Sequence, residues 1–322
     1  MLKVAIVGVG GMGGTHFRIY NDSDEFELVA ACDIRLDMLK ERVGEQNIRM
    51  YTDFDEMLKN EKVDIVDICT PSYLHAQHAL KALNAGFNVI CEKPMALDTK
   101  SAKQIMLAAE KSGKLFMVAH VVRFMRKFRY LQNVIESRKY GKLLRLDLKR
   151  ISTVPTWTWE NWMLSEEKSG LTPFDLTIHD VDFMQYLFGQ PKDIQCVHYK
   201  LKDNNDYIVG NHIYDGFVVS TEAAWYKTDI PFMTTYSAVF ENGYVNLTKD
   251  GIVDNGELIP LDKLDEVMDT GINISNIDGY AAEIFYFADC VKKGIQPQNV
   301  TVRSSFESVE LVEKMKKCCI EM

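Results

Sequence analysis

The stretch Gly8-Val9-Gly10-Gly11-Met12-Gly13 limits what this chain can fold into more than any other feature. It follows Leu2-Lys3-Val4-Ala5-Ile6-Val7, an apolar, β-branched run that reads as a buried parallel strand. It precedes Thr15–Tyr20, which can carry a helix. In such a strand–turn–helix unit Gly8 permits the tight turn, Gly10 lets the backbone approach a pyrophosphate, and Gly13 brings helix close to strand. Gly11 and Met12 complete the loop, and the helix N-terminus offers N–H groups and a positive dipole end to phosphates.

Glycine-rich turns are common, so the loop needs a companion: a second strand ending in an acid about 20 residues on. Phe26–Cys32 is that strand and Asp33 the acid. A carboxylate there accepts both ribose hydroxyls and repels a 2′-phosphate, so the expected cofactor is NAD. Arg35, two residues on, keeps NADP as the alternative. The competing reading of Asp33 is an acid capping the next helix.

Up to His120 strand and helix alternate, with strand-like runs ending near Val9, Cys32, Tyr51, Cys69, Cys91 and His120. This grammar predicts a doubly wound parallel sheet, whose ligands lie beyond the carboxyl ends of the strands. After His120 the pattern changes. An amphipathic helix around Phe128–Glu136 leads into period-two strands at Leu144–Lys149, Ile194–Tyr199, Gly216–Tyr226, Thr234–Phe240 and Gly243–Leu247. Glu241-Asn242-Gly243 marks a hairpin turn. The expected fold class is α/β: a Rossmann domain over residues 1–121, then over 122–322 an α+β domain with a large, mostly antiparallel open sheet. Gly279–Val291 and Ser304–Lys317 read as closing helices, either able to pack back on the first domain. A long sheet whose outer face carries no charge would suit a subunit interface, giving a homodimer or homotetramer.

A chain of 322 residues is long enough for two cores. No apolar run approaches the roughly 18 residues of a membrane span, and the first strand begins almost at once, so neither a span nor a signal peptide is expected. A net charge of −9 without a basic face argues against a nucleic-acid partner. The modestly basic run Lys139–Lys149 reads as the solvated face of a strand. The seven cysteines include no CxxC pair, and Cys32, Cys69 and Cys91 each end an apolar run, as reduced buried thiols of a cytoplasmic protein would. The adjacent Cys318 and Cys319 read as chain-end residues.

Three constellations could do chemistry. Thr70-Pro71, after the strand Val63–Ile68, makes a rigid turn over the cofactor, with His75 in the first turn of the following helix. His75 is read as a cofactor residue or a satisfied helix-start histidine, and His78 as structural. Glu92-Lys93-Pro94 follows the strand Phe87–Cys91, where a lysine cation is placed to stabilise alkoxide character as a hydroxyl loses its proton. The bland alternative is a surface Glu-Lys pair. Asp175, His179 and Asp182 fall at i, i+4 and i+7, on one helix face. An imidazole held by a carboxylate is a usual general base with its orienter. Against this, Thr172, Pro173 and Asp175 also fit an N-cap, a first-turn proline and a capping-box acid. No other His, Cys or Asp cluster stands at metal-ligand spacing, and no metal is expected.

Taken together, Gly8–Gly13, Thr70-Pro71 with His75, Glu92-Lys93-Pro94, and Asp175 with His179-Asp180 resemble the glucose–fructose oxidoreductase/inositol dehydrogenase/MocA family over nearly the whole chain. The resemblance implies a Rossmann domain followed by a mixed domain whose large sheet assembles dimers or tetramers. It implies that Lys93 is catalytic, that His179 is the acid/base and Asp175 its partner, and that Glu92 and Lys93 touch the cofactor. Trp157, Trp159 and Trp162, around Glu160 and Asn161, resemble the substrate loop of inositol-dehydrogenase-like members; His120 and Arg123 would line the same cleft. The chain departs from the pattern at Leu171-Thr172, where a second glycine is usual, and at Phe124-Met125-Arg126, which lacks a proline. The expected activity is NAD-dependent oxidation of a secondary hydroxyl of a cyclic polyol or sugar. The alternatives are an NADP-dependent sugar or carbonyl reductase and a non-catalytic dinucleotide-sensing regulator.

Overall fold

A computed structural model of the chain describes residues 1–264 and 279–321. It divides into two units, Met1–His120 with Tyr280–Val309, and Val121–Gly279 with Glu310–Met322.

In the first unit strand and helix alternate strictly: β1 (Leu2–Val7), α1 (Gly11–Asn21), β2 (Phe26–Cys32), α2 (Leu36–Val43), β3 (Arg49–Tyr51), α3 (Phe54–Asn60), β4 (Ile65–Ile68), α4 (Ser72–Asn84), β5 (Asn88–Glu92), α5 (Thr99–Ser112) and β6 (Phe116–Ala119). The six strands run parallel in the order β3-β2-β1-β4-β5-β6, the doubly wound arrangement with its topological switch between β1 and β4. Helices on both faces explain why Val4–Val7 and the whole of β4 are buried. One residue of β4 breaks the apolar rule: Asp67 is fully buried. A helix over Gly279–Lys293 opens the unit's returning segment, and its Phe285 meets Phe26 with ring centroids 5.4 Å apart.

The second unit is built on a nine-stranded sheet. Its strands are β7 (Leu143–Thr153), β8 (Asp193–Lys200), β9 (Asp206–Ile213), β10 (Val218–Tyr226), β11 (Met233–Phe240), β12 (Gly243–Leu247), β13 (Ile252–Asp254), β14 (Glu257–Ile259) and β15 (Cys319–Glu321), in the order β14-β13-β12-β11-β7-β10-β9-β8-β15. Only the β7–β10 and β8–β15 pairs are parallel. The helix α6 (Arg126–Glu136) buries Phe128, Leu131 and Val134, and Phe128 meets Tyr236 of β11 edge-on.

The sequence pattern misses β9, and the reason is physical. Its buried positions are Asp206, Ile208, Gly210 and His212, while Tyr207, Val209 and Ile213 lie on the half-exposed face. The apolar alternation therefore points the wrong way. The buried polar groups find distant partners instead: Asp206 meets His198 Nε2 at 2.6 Å and His212 Nε2 lies 3.0 Å from Thr221 Oγ1.

The expectation of an uncharged outer sheet face is also corrected. Arg145, Asp147 and Lys149 alternate along β7, so all three share one face while Leu146 and Leu148 turn inward. Arg145 pairs with Asp147 at 2.7 Å and Lys149 with Glu222 of the neighbouring β10 at 2.9 Å. Along β7 and its neighbour β10 the face therefore carries paired charges, while Tyr207, Val209 and Ile213 of β9 keep its β9 side apolar.

Candidate active site

The loop between β1 and α1 has the shape a dinucleotide requires. Gly8 has φ +83°, and a Cβ on it would stand 2.6 Å from the Cys69 carbonyl oxygen. A Cβ on Gly13 would stand 1.8 Å from the Gly8 carbonyl oxygen. Gly10 is different: a Cβ there would meet only Arg35 Nη2, at 3.4 Å. Fold packing thus fixes Gly8 and Gly13, while Gly10 leaves open space beside the loop. No side chain caps α1 and no acid lies in its first turn, so its N-terminal N–H groups are available to a phosphate. These features fit NAD.

Asp33 stands over this loop. Its Oδ2 accepts the Val9 N–H at 3.1 Å, and its Oδ1 accepts the Arg35 N–H at 3.0 Å and Arg35 Nε at 3.2 Å. The acid is held by the loop it serves. The helix-capping alternative fails, because Arg35 is the N-cap of α2 and no side chain caps that helix.

Thr70 and Pro71 follow β4, with Pro71 as the N-cap of α4. His75 is only 1% exposed, with Nδ1 2.7 Å from the Pro94 carbonyl and Nε2 2.8 Å from the Thr70 carbonyl. Read from sequence as a cofactor residue, it instead brackets the turn at Thr70 to the one at Pro94. His78 lies 3.2 Å from Thr70 Oγ1 against the Phe54 ring, and burial pushes it down to about 4.

From Val89 to Ala96 every residue is buried except Lys93. The neighbouring Glu92 turns inward, 6% exposed, and its Oε2 accepts the Lys93 N–H at 3.0 Å. Expected at the cofactor, Glu92 serves other protein groups.

In the second unit α7 (Glu166–Ser169) precedes a π-helical turn over Pro173–Thr177, which runs into α8 (Ile178–Phe188). From residue 171 to residue 185 every position is buried except Leu171, Asp175 and His179. The spacing of four survives the π turn and leaves the acid and the imidazole on the single accessible stripe. The capping-box alternative is overturned: Thr172 has helical backbone angles and caps nothing, and its N–H donates to Asp206 Oδ2 at 2.9 Å.

Asp182 does not join the stripe. It forms a two-point ion pair with Arg123, Nε to Oδ2 at 2.7 Å and Nη2 to Oδ1 at 2.6 Å, both residues buried. Arg123, expected to line the substrate cleft, thus anchors α8. Sequence reasoning passed over a second anchor, Arg150 Nε to Asp180 Oδ1 at 2.9 Å. Burial pushes the Asp180 carboxyl up, partly offset by Arg150. The signal was legible: Asp180 and Asp182 in an otherwise largely apolar helix cannot both face solvent beside His179, and a buried acid requires a cation. His120 is 2% exposed, whereas Trp157 is 70% exposed and Trp159 41%, with Trp162 half-buried. Glu160 and Asn161 between these tryptophans are left-handed, with φ 52° and 50°.

Among the described residues, the group whose ligand atoms lie close enough for a metal ion is His16, Asp67 and Cys69. These atoms already hydrogen-bond one another, with His16 Nδ1 2.8 Å from Asp67 Oδ2.

A six-stranded doubly wound sheet with this loop, followed by a mostly antiparallel sheet, defines a protein with an NAD-binding Rossmann domain and a second, sheet-based domain. Residues 2–120 match the model of the oxidoreductase family with NAD-binding Rossmann fold, and residues 128–243 match the GFO/IDH/MocA C-terminal domain. The chain belongs to the GFO/IDH/MocA family. It is 31% identical to a 2,7-anhydro-N-acetylneuraminate hydratase of Mediterraneibacter gnavus over 59% of this chain and 50% of that protein. It is 29% identical to an inositol 2-dehydrogenase of an Arthrobacter species over 77% of this chain and 74% of that protein. The chain spans about half the length of the curated relatives it matches first. The fold is shared with myo-inositol 2-dehydrogenase from Lactobacillus plantarum, with a TM-score of 0.80 and 20% identity over 98% of this chain and 96% of that one.

Proposed function

We propose that the protein is an NAD-dependent dehydrogenase acting on a secondary hydroxyl of a cyclic polyol or sugar. His179 takes the hydroxyl proton, Asp175 orients its imidazole, and Lys93 stabilises the developing negative charge on the oxygen. Bound NAD supplies the hydride acceptor. The first domain, residues 1–121, holds the cofactor, and residues 122–322 hold the substrate, with the flat faces of Trp157 and Trp162 suited to the C–H side of a ring.

The observation that carries the reading is selective exposure. Asp175 and His179 share the accessible stripe of a buried helix, and Lys93 is the accessible position of a buried strand end. Charged and titratable groups kept half-open amid full burial are placed for a ligand rather than for packing. The names of the inositol dehydrogenase and the related D-glucoside 3-dehydrogenase support a ring-hydroxyl substrate. We also infer a cytoplasmic location, consistent with free cysteines, and assembly into a homodimer or homotetramer through the second sheet.

The test is reduced-nicotinamide formation across a panel of polyols and sugars, followed by Lys93→Met and His179→Ala. Lys93→Met is expected to lower turnover by about 10²–10³ with NAD affinity nearly intact. His179→Ala is expected to lower it by about 10²–10⁴, with partial recovery at high pH as hydroxide substitutes for the base. Near-normal turnover in Lys93→Met overturns the mechanism. NAD binding without reduction of any panel member would favour the sensor or a hydratase-like reaction.

A further inference from the structure

Beneath the dinucleotide loop lies a buried polar chain that the proposed chemistry does not use. His16 sits on α1, one helical turn beyond Gly13, and is fully buried. Its Nδ1 is 2.8 Å from Asp67 Oδ2 on β4, and its Nε2 is 3.3 Å from Glu92 Oε1 at the end of β5. Asp67 also accepts the Tyr20 hydroxyl at 2.8 Å, and the Cys69 thiol lies 3.3 Å from its Oδ1. Glu92 Oε2 accepts the Lys93 N–H at 3.0 Å.

Both ring nitrogens of His16 face carboxylate oxygens, and a carboxylate only accepts. A neutral imidazole has one N–H and would present a lone pair to one of the two acids. An imidazolium hydrogen-bonds Asp67 through Nδ1, stands within ion-pair distance of Glu92 through Nε2 without an aligned hydrogen bond, and compensates two buried negative charges. Burial by itself would push the ring's pKa down, but the Asp67 carboxylate that Nδ1 hydrogen-bonds outweighs it and holds it well above the ordinary histidine value. Burial would likewise push Glu92 up, yet His16 first and Lys93 after it keep the carboxyl below the ordinary value.

We propose that His16 is a positioning residue: as a buried imidazolium it pins the Glu92 carboxylate, which in turn holds the backbone of Lys93 at the end of β5. The inference rests on the role assigned to Lys93. It makes the helix that receives the pyrophosphate and the strand end that carries the lysine parts of one electrostatic assembly. The titratable groups around this chain are Tyr20, Asp67, Cys69, Cys91 and Glu92, with Lys93 and His75 facing Glu92 and Glu283 facing Tyr20. Cys69 and Cys91 also face both carboxylates, and burial pushes both thiols up, so they stay neutral and His16 is the group there that can carry positive charge.

The experiment uses the full chain with ¹⁵N-labelled histidine and ¹³C-labelled glutamate carboxyls. In the parent the His16 ring should carry protons on both nitrogens at pH 7.5, a choice of pH about one unit above the free-histidine value. In His16→Gln the Glu92 carboxyl should titrate about one pH unit or more higher, and in Glu92→Gln the His16 ring should titrate lower by the same amount, since the coupling is reciprocal. Glu92→Gln keeps the proposal testable should His16→Gln fail to fold. Turnover of myo-inositol, as the probe polyol, should fall in both variants with NAD affinity within a few-fold of the parent, and the double variant should lose no more than the worse single. A singly protonated His16 ring at pH 7.5, or no reciprocal shift, overturns the charge pair. These resonances need no turnover, so a Lys93 that proves dispensable fails separately. Reciprocal shifts with undiminished turnover in Glu92→Gln overturn the positioning role.

Discussion

Two glycines of one loop should respond in opposite ways to the same added methyl group. A Cβ at Gly13 would lie 1.8 Å from the Gly8 carbonyl oxygen, far inside the 3.0 Å that real Cβ contacts respect. That neighbour is backbone, so no rotamer change relieves the overlap, and either α1 or the turn after β1 must move. Overpacking of this kind costs about 1–3 kcal/mol, and a rigid partner puts Gly13→Ala at the upper end. At about 1.4 kcal/mol per decade, that is close to a hundredfold in the folding equilibrium. At Gly10 the only neighbour is the flexible end of Arg35, 3.4 Å away, and φ is −69°. Gly10→Ala should therefore change stability by less than about 1 kcal/mol. Its methyl group instead projects where the pyrophosphate approaches the backbone, so the Kd for NAD should rise more than about tenfold. Urea denaturation and calorimetric NAD titration of both variants measure the two effects separately. Parental NAD affinity in Gly10→Ala, or parental stability in Gly13→Ala, would refute the assignment of space around this loop.

Asp33→Ser should reduce the preference for NAD over NADP, because the carboxylate that repels a 2′-phosphate is removed while Arg35 remains; steady-state comparison of the two cofactors checks it, and a parent that already prefers NADP contradicts the role of Asp33. A pH effect follows from His16, whose folded-state pKa is raised. Its contribution to stability is complete below the unfolded-state value near 6.5 and is lost as pH rises through the folded value, at up to about 1.4 kcal/mol per pH unit. The urea midpoint of the parent should accordingly fall more steeply above about pH 6.5 than that of His16→Gln, and parallel profiles would contradict the assignment.

Local pattern was enough for the parallel sheet of the first unit, though not for the segment Tyr280–Val309 that returns to it. The inner strands of a parallel sheet are covered on both faces, so Val4–Val7 and Val89–Cys91 announce themselves as apolar runs, and the glycines and Asp33 follow at fixed offsets. The stripe of Asp175 and His179 was legible too, because helical spacing is a property of the chain alone. What the sequence could not decide was pairing at a distance. It left Asp182 on the same stripe as His179, and only the approach of Arg123, from far along the chain, takes it off. It offered Thr172 as a cap, and only the arrival of Asp206 from β9 shows the threonine serving another contact. It read β9 as no strand, since polar residues buried against distant partners break the alternation that one-dimensional reading depends on. His16 is the clearest case. Its spacing from Gly13 marks it as a helix residue, but its charge is decided by Asp67 and Glu92, which β4 and β5 bring to it across the sheet. A low-dielectric interior makes such an ion's state a matter of its neighbours, and neighbours are supplied by tertiary structure.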